Sequence, residues 1–407
     1  MKVEERLLKY VKIDTQSDPE SKTIPSTMKQ KDLGKVLVDE MKALGIEDAF
    51  IDEYGYVYGT IEGNVEGIET VGFVAHMDTS PEVSGANVNP RIIEDYDGKD
   101  IPLNNEIVAK VEEFPFLKNY IGKSLIVTDG HTLLGADDKA GIAAIMAMAD
   151  YFHQNPEIKH GTIKIGFTPD EEIGRGADKF DVKGFVADFA YTVDGSEVNS
   201  VDYENFNGAS VKVFVKGISF HPGDAKGKMV NAINLGLKFH SLLPEHMRPE
   251  YTDGYNGFNH LFKIKGDIES AELEYILRNH DNHIYEKQKK MFVAASEYLN
   301  KEYGNLIEVV IKDSYSNMKN GLAEKMYIVD LAKQAISDIG LQPTSKPIRG
   351  GTDGATLTYM GLPCPNLGTG GFNFHGRYEM CCIEDMHQVV DILIKIVEKV
   401  QEYRKTE

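Results

Sequence analysis

Leu33, Leu37, Met41 and Leu44 recur at helical spacing, which predicts a helix with one face on a core, started by Ser26 or Thr27 and stopped at Gly45. Further on, Val71-Gly72-Phe73-Val74-Ala75 is short and apolar on both faces, and similar runs end at Phe167 (Thr162 to Phe167) and Val193 (Phe189 to Val193). Such runs suit central strands covered on both sides. Between them, Ala140 to Phe152 is apolar over a length that predicts a buried helix. Strands alternating with helices predict an α/β fold with a mainly parallel sheet and helices on both faces. Polar clusters follow these strands directly, at the carboxyl ends where ligands sit in such sheets.

The texture changes near Gly208. Val211, Val213 and Val215 alternate with Lys212 and Phe214, and a helix is expected from about Lys228 to Leu243. Strands at Leu261 to Lys265 and Leu273 to Leu277, an amphipathic helix from Ile284 to Leu299 and a strand from Leu306 to Ile311 complete the series. The order β-α-β-β-α-β predicts an inserted ferredoxin-like unit. The parent fold then resumes with a helix from Leu322 to Ile339, a strand near Pro343 to Ile348 and a helix from Glu384 to Tyr403. The expected organisation is a parent domain in two parts, 1–207 and 319–407, around an insert at 208–318.

Charge narrows the partners. Over 407 residues, 64 acidic side chains face 44 basic ones, a net charge of −20. A surface this acidic repels phosphate backbones and anionic lipids, so neither nucleic acid nor membrane is an expected partner. The longest uncharged apolar run, Ala140 to Ala149, is short of the roughly 20 residues a membrane helix needs. Cys364, Cys381 and Cys382 are too few and too clustered for a disulfide framework, and Met1 to Asp14 lacks a signal-peptide pattern. The cytoplasm is the expected location.

Candidate chemistry gathers in five places. His76 and Asp78 follow the first apolar strand, and alternation points both side chains one way, so that Asp78 can accept the second ring N–H and fix its tautomer. Gly135-Ala136-Asp137-Asp138-Lys139-Ala140-Gly141 opens the buried helix. Thr168-Pro169-Asp170-Glu171-Glu172 follows the second strand, where adjacent glutamates can be aimed at different atoms, one holding a metal and the other taking a proton from water. Val193-Asp194-Gly195 and Phe374-His375-Gly376 complete the set. Each alone reads as a helix cap or solvated surface. Together, nitrogen and oxygen donors without thiolates suit zinc, cobalt or manganese, and argue against a cysteine-rich structural zinc site. Spacing leaves open whether Asp137 or Asp138 is the ligand.

These segments resemble the family of dinuclear zinc peptidases and deacylases. The family pattern is matched by Ala75-His76-Met77-Asp78-Thr79, by Gly135 to Gly141, by Asp170-Glu171-Glu172 and by Val193-Asp194-Gly195. The closer likeness is to its tripeptide aminopeptidases, through Asp14-Thr15-Gln16-Ser17, Asn87-Val88-Asn89-Pro90, Asn205-Phe206-Asn207, the stretch Lys346 to Ala355, and Gly361 to Leu367. The resemblance implies a catalytic parent domain with an inserted lid or dimerisation domain. It implies two zinc ions per subunit, with cobalt or manganese as substitutes: Asp137 bridging, His76 and Asp194 completing one site, Glu172 and His375 the other. Asp78 would orient His76, and Asp138 would remain at the helix start. The implied activity is release of the N-terminal residue of tripeptides by a metal-bridging hydroxide, with Glu171 as general base. Two dications, three ligand carboxylates and one hydroxide sum to zero charge, which favours a hydroxide at neutral pH.

The resemblance also makes His221, in His221-Pro222-Gly223, the donor to the tetrahedral oxyanion. The insert would then have to close over the metal-bearing domain, in one chain or from a second subunit. Arg278 and Arg349 are candidates to clamp the peptide carboxylate through two parallel bonds, and Asn231 is a candidate amide donor. His131, His280 and His283 fall outside every family motif and are expected in surface or core roles, and Cys364 is expected to pack. A small peptide is the expected substrate, and a homodimer through the insert is compatible with it. A dipeptidase, carboxypeptidase or deacylase would use the same metal site. A non-catalytic homologue would be expected to lack some of His76, Asp78, Asp137, Glu171, Glu172, Asp194 and His375, and all are present.

Overall fold

The apolar run Val71–His76 forms a strand buried at all six positions, at the centre of a seven-stranded sheet in the computed structural model, which describes residues 1–403. It pairs in parallel with Ile163–Thr168 on one side and Phe189–Gly195 on the other, and Asn366–Gly368 runs parallel to the latter. Strand alternation sends Val74 and Phe73 to opposite faces. Val74 joins Tyr56, Tyr58, Phe180, Phe185 and Leu357 in one cluster, while Phe73 stacks on Tyr191.

The edges differ from the mainly parallel expectation. Val57–Ile61, Phe50–Ile51 and Val201–Asp202 pair antiparallel, so the sheet is mixed, with a parallel centre. One cause is local: Phe50–Ile51 and Val57–Ile61 are joined by a tight turn with Gly55 at φ 93°, too short for the crossover that parallel pairing requires. A second, four-stranded antiparallel sheet, in the order Gly371–Phe372, Met380–Cys382, Leu125–Val127, Arg91–Ile93, has no counterpart in the sequence reading. Its strands of two or three residues are too short to show a period.

The buried helix spans Ala136–Gln154 and packs on Val71–His76 and Phe189–Gly195. Its alanine-rich sequence, with Gly141 at the contact, lets the backbones approach closely. At Gly141 a Cβ would lie 1.9 Å from the carbonyl oxygen of Val193 and 2.4 Å from Asp138 Oδ1. Gly141→Ala is therefore expected to destabilise the fold by about 1–3 kcal/mol through overpacking, read as a lower urea midpoint. The same contact sets the start of this helix beside the end of the strand that carries Asp194.

Three expected elements are corrected. The first amphipathic helix runs Gln30–Ala43 with no side-chain cap, because Ser26 gives its N–H and hydroxyl to the Asp170 carboxylate instead. Gly45 ends it at φ 80°. Around Pro343 to Ile348 there is no strand, only isolated bridges of Thr344 with Ser200 and Ile348 with Asn205, since Pro343 and Pro347 offer no N–H to a ladder. The helix expected from Leu322 begins at Tyr327 and runs to Asp338, after a separate tight turn at Ala323–Lys325. The C-terminal helix is Ile383–Glu402, and residues 404–407 of the expected second parent part lie outside the described residues.

Glu204–Asn320 and Pro347–Gly351 form a compact unit of their own. Its antiparallel sheet has the order Phe258–Gly266, Ser270–Asn279, Asn207–Lys216, Ile307–Tyr315. Burial alternates along Ser270–Asn279, and Leu273, Tyr275 and Leu277 join Val211, Val213 and Val215 in a core with Phe239 and Phe292 of the two helices. Those helices are Ala232–Ser241 and Asn282–Tyr303. The first starts four residues later than expected because Asn231 caps it, its side-chain oxygen accepting the Asn234 N–H at 3.1 Å.

Candidate metal centre

Parallel pairing builds the first half of the site. Val74 stands opposite Thr192, so two residues on His76 comes beside Asp194, and His76 stands opposite Thr168, just before the two glutamates. His76 Nε2 lies 2.9 Å from Asp137 Oδ1 and 3.4 Å from Asp194 Oδ1. The second half forms around His375, in the loop after Gly371–Phe372. Its Nε2 lies 2.8 Å from Glu172 Oε2 and 3.2 Å from Asp137 Oδ2. His76, Asp137 and Asp194 offer ligand atoms within 4.8 Å of one another, as do Asp137, Glu172 and His375. Asp137 thus turns one oxygen to each histidine.

Asp138 is placed differently. Its oxygens accept the backbone N–H of His76 at 3.2 Å and of Gly141 at 3.1 Å, and it belongs to neither group of donors. Asp137 and Asp138 both lie outside helical backbone angles at the start of Ala136–Gln154, so their side chains do not follow helical spacing.

The expected pairing of His76 with the Asp78 carboxylate is shared with the backbone: Nδ1 lies 3.0 Å from the Asp78 carbonyl oxygen and 3.4 Å from Oδ1. The carboxylate makes shorter contacts elsewhere, accepting the N–H groups of Glu171 at 2.9 Å and Glu172 at 3.2 Å. Asp170, at φ 60°, reverses the chain before a single tight turn, Glu171–Ile173. Its carboxylate is held by Ser26 and by Gln30 Nε2 at 2.7 Å. Glu172 therefore reaches His375, while Glu171 stays outside both donor groups.

Burial dominates the electrostatics of the donor set. Burial pushes the Glu172 carboxyl up to about 7 and Asp194 to about 6. At Asp137 burial acts in the same direction, but the imidazoles of His375 and His76 outweigh it and hold the group below the usual carboxylate range. Asp137 and Glu172 in turn raise His375 to about 11. Burial, then Asp194, pushes Glu171 well above its ordinary value. Glu172 Oε1 is buried without a hydrogen-bond partner. A buried excess of carboxylates with an orphaned oxygen is costly unless a cation compensates it, and oxygen and imidazole donors fit a divalent transition metal.

Sequence reasoning missed two buried acids here. Glu379 accepts three backbone N–H bonds at the start of the Ala136–Gln154 helix, and Asp353 accepts the Thr168 hydroxyl at 2.7 Å. Asp353 lies within the stretch Lys346 to Ala355 that carries the family likeness, whereas nothing local marks Glu379.

The substrate candidates all lie in the other unit. His221 is exposed and accepts the Gly223 N–H at Nδ1, and Asn231 caps its helix. Arg278 lies over the Tyr315 ring at 5.0 Å and donates to the Leu277 carbonyl at 2.8 Å. Arg349 lies over Phe206 at 5.1 Å and donates to the carbonyls of Gly254 at 2.7 Å and Asn256 at 2.9 Å. His131 and His283 are exposed. His280 is buried against Phe206, with ring centroids 4.2 Å apart, and Cys364 packs beside Leu357 and Leu362.

The comparisons define the class of protein: the chain belongs to peptidase family M20/M25/M40, whose model matches residues 127–399. It is a peptidase enzyme. Its similarity is particular: it is 52% identical over 400 residues to the Peptidase T of Alkaliphilus oremlandii, covering 97% of this chain and 98% of that one. Among solved structures it matches aminopeptidase PepT of Bacillus cereus ATCC 10987 with a TM-score of 0.79 at 24% identity, over 98% of both chains. It also matches a dinuclear metal binding peptidase of the M20 family from Bacillus subtilis, with a TM-score of 0.66 at 15% identity over 98% of both chains. Among the described residues, no helix is long and apolar enough to cross a membrane.

Proposed function

We propose that the chain is a zinc-dependent aminopeptidase that releases the N-terminal residue of tripeptides, with two cations per subunit. The supporting observation is the position of Asp137, whose Oδ1 and Oδ2 lie 2.9 and 3.2 Å from two different histidines. In this reading Asp137 would be shared by the two cations, His76 and Asp194 would complete one site, and Glu172 and His375 the other. When bound, the cations supply Lewis acidity and lower the pKa of water.

Glu171 is the general base. Its carboxylate is free of both donor groups, and its burial beside Asp194 raises its affinity for a proton, as a base working near neutral pH requires. It accepts the proton of the attacking water and returns it to the leaving amine. Asp78 serves both halves, bonding the backbone N–H of Glu171 and Glu172 and facing the His76 ring. His221 donates to the oxyanion, Asn231 supplies an amide N–H, and Arg278 and Arg349 recognise the peptide carboxylate. The unit that carries these four serves as lid and dimerisation domain, and the cytoplasm is the setting.

The test is hydrolysis of a free tripeptide, its N-blocked form and the matching dipeptide by metal-stripped protein, before and after zinc is restored. The expected result is zinc-dependent release of the N-terminal residue from the free tripeptide alone. Cleavage of the blocked or two-residue substrate would instead assign a deacylase or dipeptidase.

A further inference from the structure

The loop that carries His375 and the turn that carries Asp137 are far apart in the chain, and one buried carboxylate joins them. Glu379, 1% exposed, accepts the N–H groups of Leu134 at 2.7 Å and Gly135 at 2.8 Å on Oε2, and that of Asp137 at 3.0 Å on Oε1. These N–H groups precede the regular part of the Ala136–Gln154 helix, so they need acceptors from outside it. The backbone of Glu379 is itself anchored: it leads directly into Met380–Cys382, which pairs with Leu125–Val127, the strand that runs on toward the same turn.

Resting on the metal reading above, we propose that Glu379 is a positioning residue that sets the Asp137 bridge against His375, and so fixes the spacing between the two cation-binding groups. Glu379 belongs to neither donor group. It acts through the backbone of Asp137, and both of its oxygens are needed, one for the Leu134 and Gly135 pair and one for Asp137. Glutamine has a single acceptor oxygen, so its NH2 must face an N–H on one side and leave it unpaired. Aspartate keeps both acceptors on a shorter stem.

The test is titration of cobalt(II) into metal-free, full-length wild type, Glu379→Gln and Glu379→Asp, followed by calorimetry and by the visible absorption of the bound ion. Glu379→Gln is expected to bind cobalt about tenfold or more weakly, with an altered spectrum, and Glu379→Asp to recover part of both. Wild-type affinity and spectrum in a folded Glu379→Gln would overturn the proposal. Should neither variant fold, amide exchange in metal-free wild type decides: protection of the Leu134, Gly135 and Asp137 amides supports the clamp, and exchange at open-loop rates overturns it. Failure of wild type to bind cobalt is a separate result, which overturns the metal reading and this inference with it.

Discussion

Asp137→Ala is expected to empty both cation sites and abolish turnover. Each donor group contains three residues, and Asp137 is the member common to both, so one substitution leaves two donors on each side. Four-coordinate zinc sites of catalytic type keep three protein ligands, and a pair of donors holds the ion far less well. Metal content measured on the purified variant should fall from the proposed two ions per chain to near zero. Asp194→Ala, by contrast, should spare the group around His375. Retention of two ions by Asp137→Ala would show that it does not bridge.

Glu171→Ala should separate chemistry from binding. Glu171 lies outside both donor groups, so metal content should remain at two ions. Turnover of the tripeptide should fall by about 10²–10⁴-fold, the usual contribution of a positioned general base. Near-normal turnover with both metals bound would sink the assignment. Comparison of the two variants is informative because their backbones are anchored independently: the Glu171 N–H bonds Asp78, and the Asp137 N–H bonds Glu379.

Much of the architecture is legible because its signals are local. Runs such as Val71 to Ala75 declare a strand covered on both faces, and the alternation of Val211, Val213 and Val215 declares one with a single buried face. The polar motifs are equally legible by position, since they sit where apolar strands stop. Ser26 shows the opposite case: a serine before a helical pattern suits a cap, but its partner is Asp170, 144 residues away. The small sheet beside His375 left no trace, because two- and three-residue strands carry no period.

Residue type and local periodicity settle which segments are strands and helices, which faces turn inward, and which acids and imidazoles stand at the ends of the elements. Tertiary structure decides which atom meets which: the imidazoles facing Asp137, the choice that spacing left open, Asp78 bonded to the backbone of both glutamates, and Glu379 joined to Asp137 across 242 residues. The physical reason is one of range. Apolar burial repeats along the chain and needs no particular partner, whereas a buried carboxylate must find specific donors at about 3 Å, and only the assembled backbone brings those donors within reach.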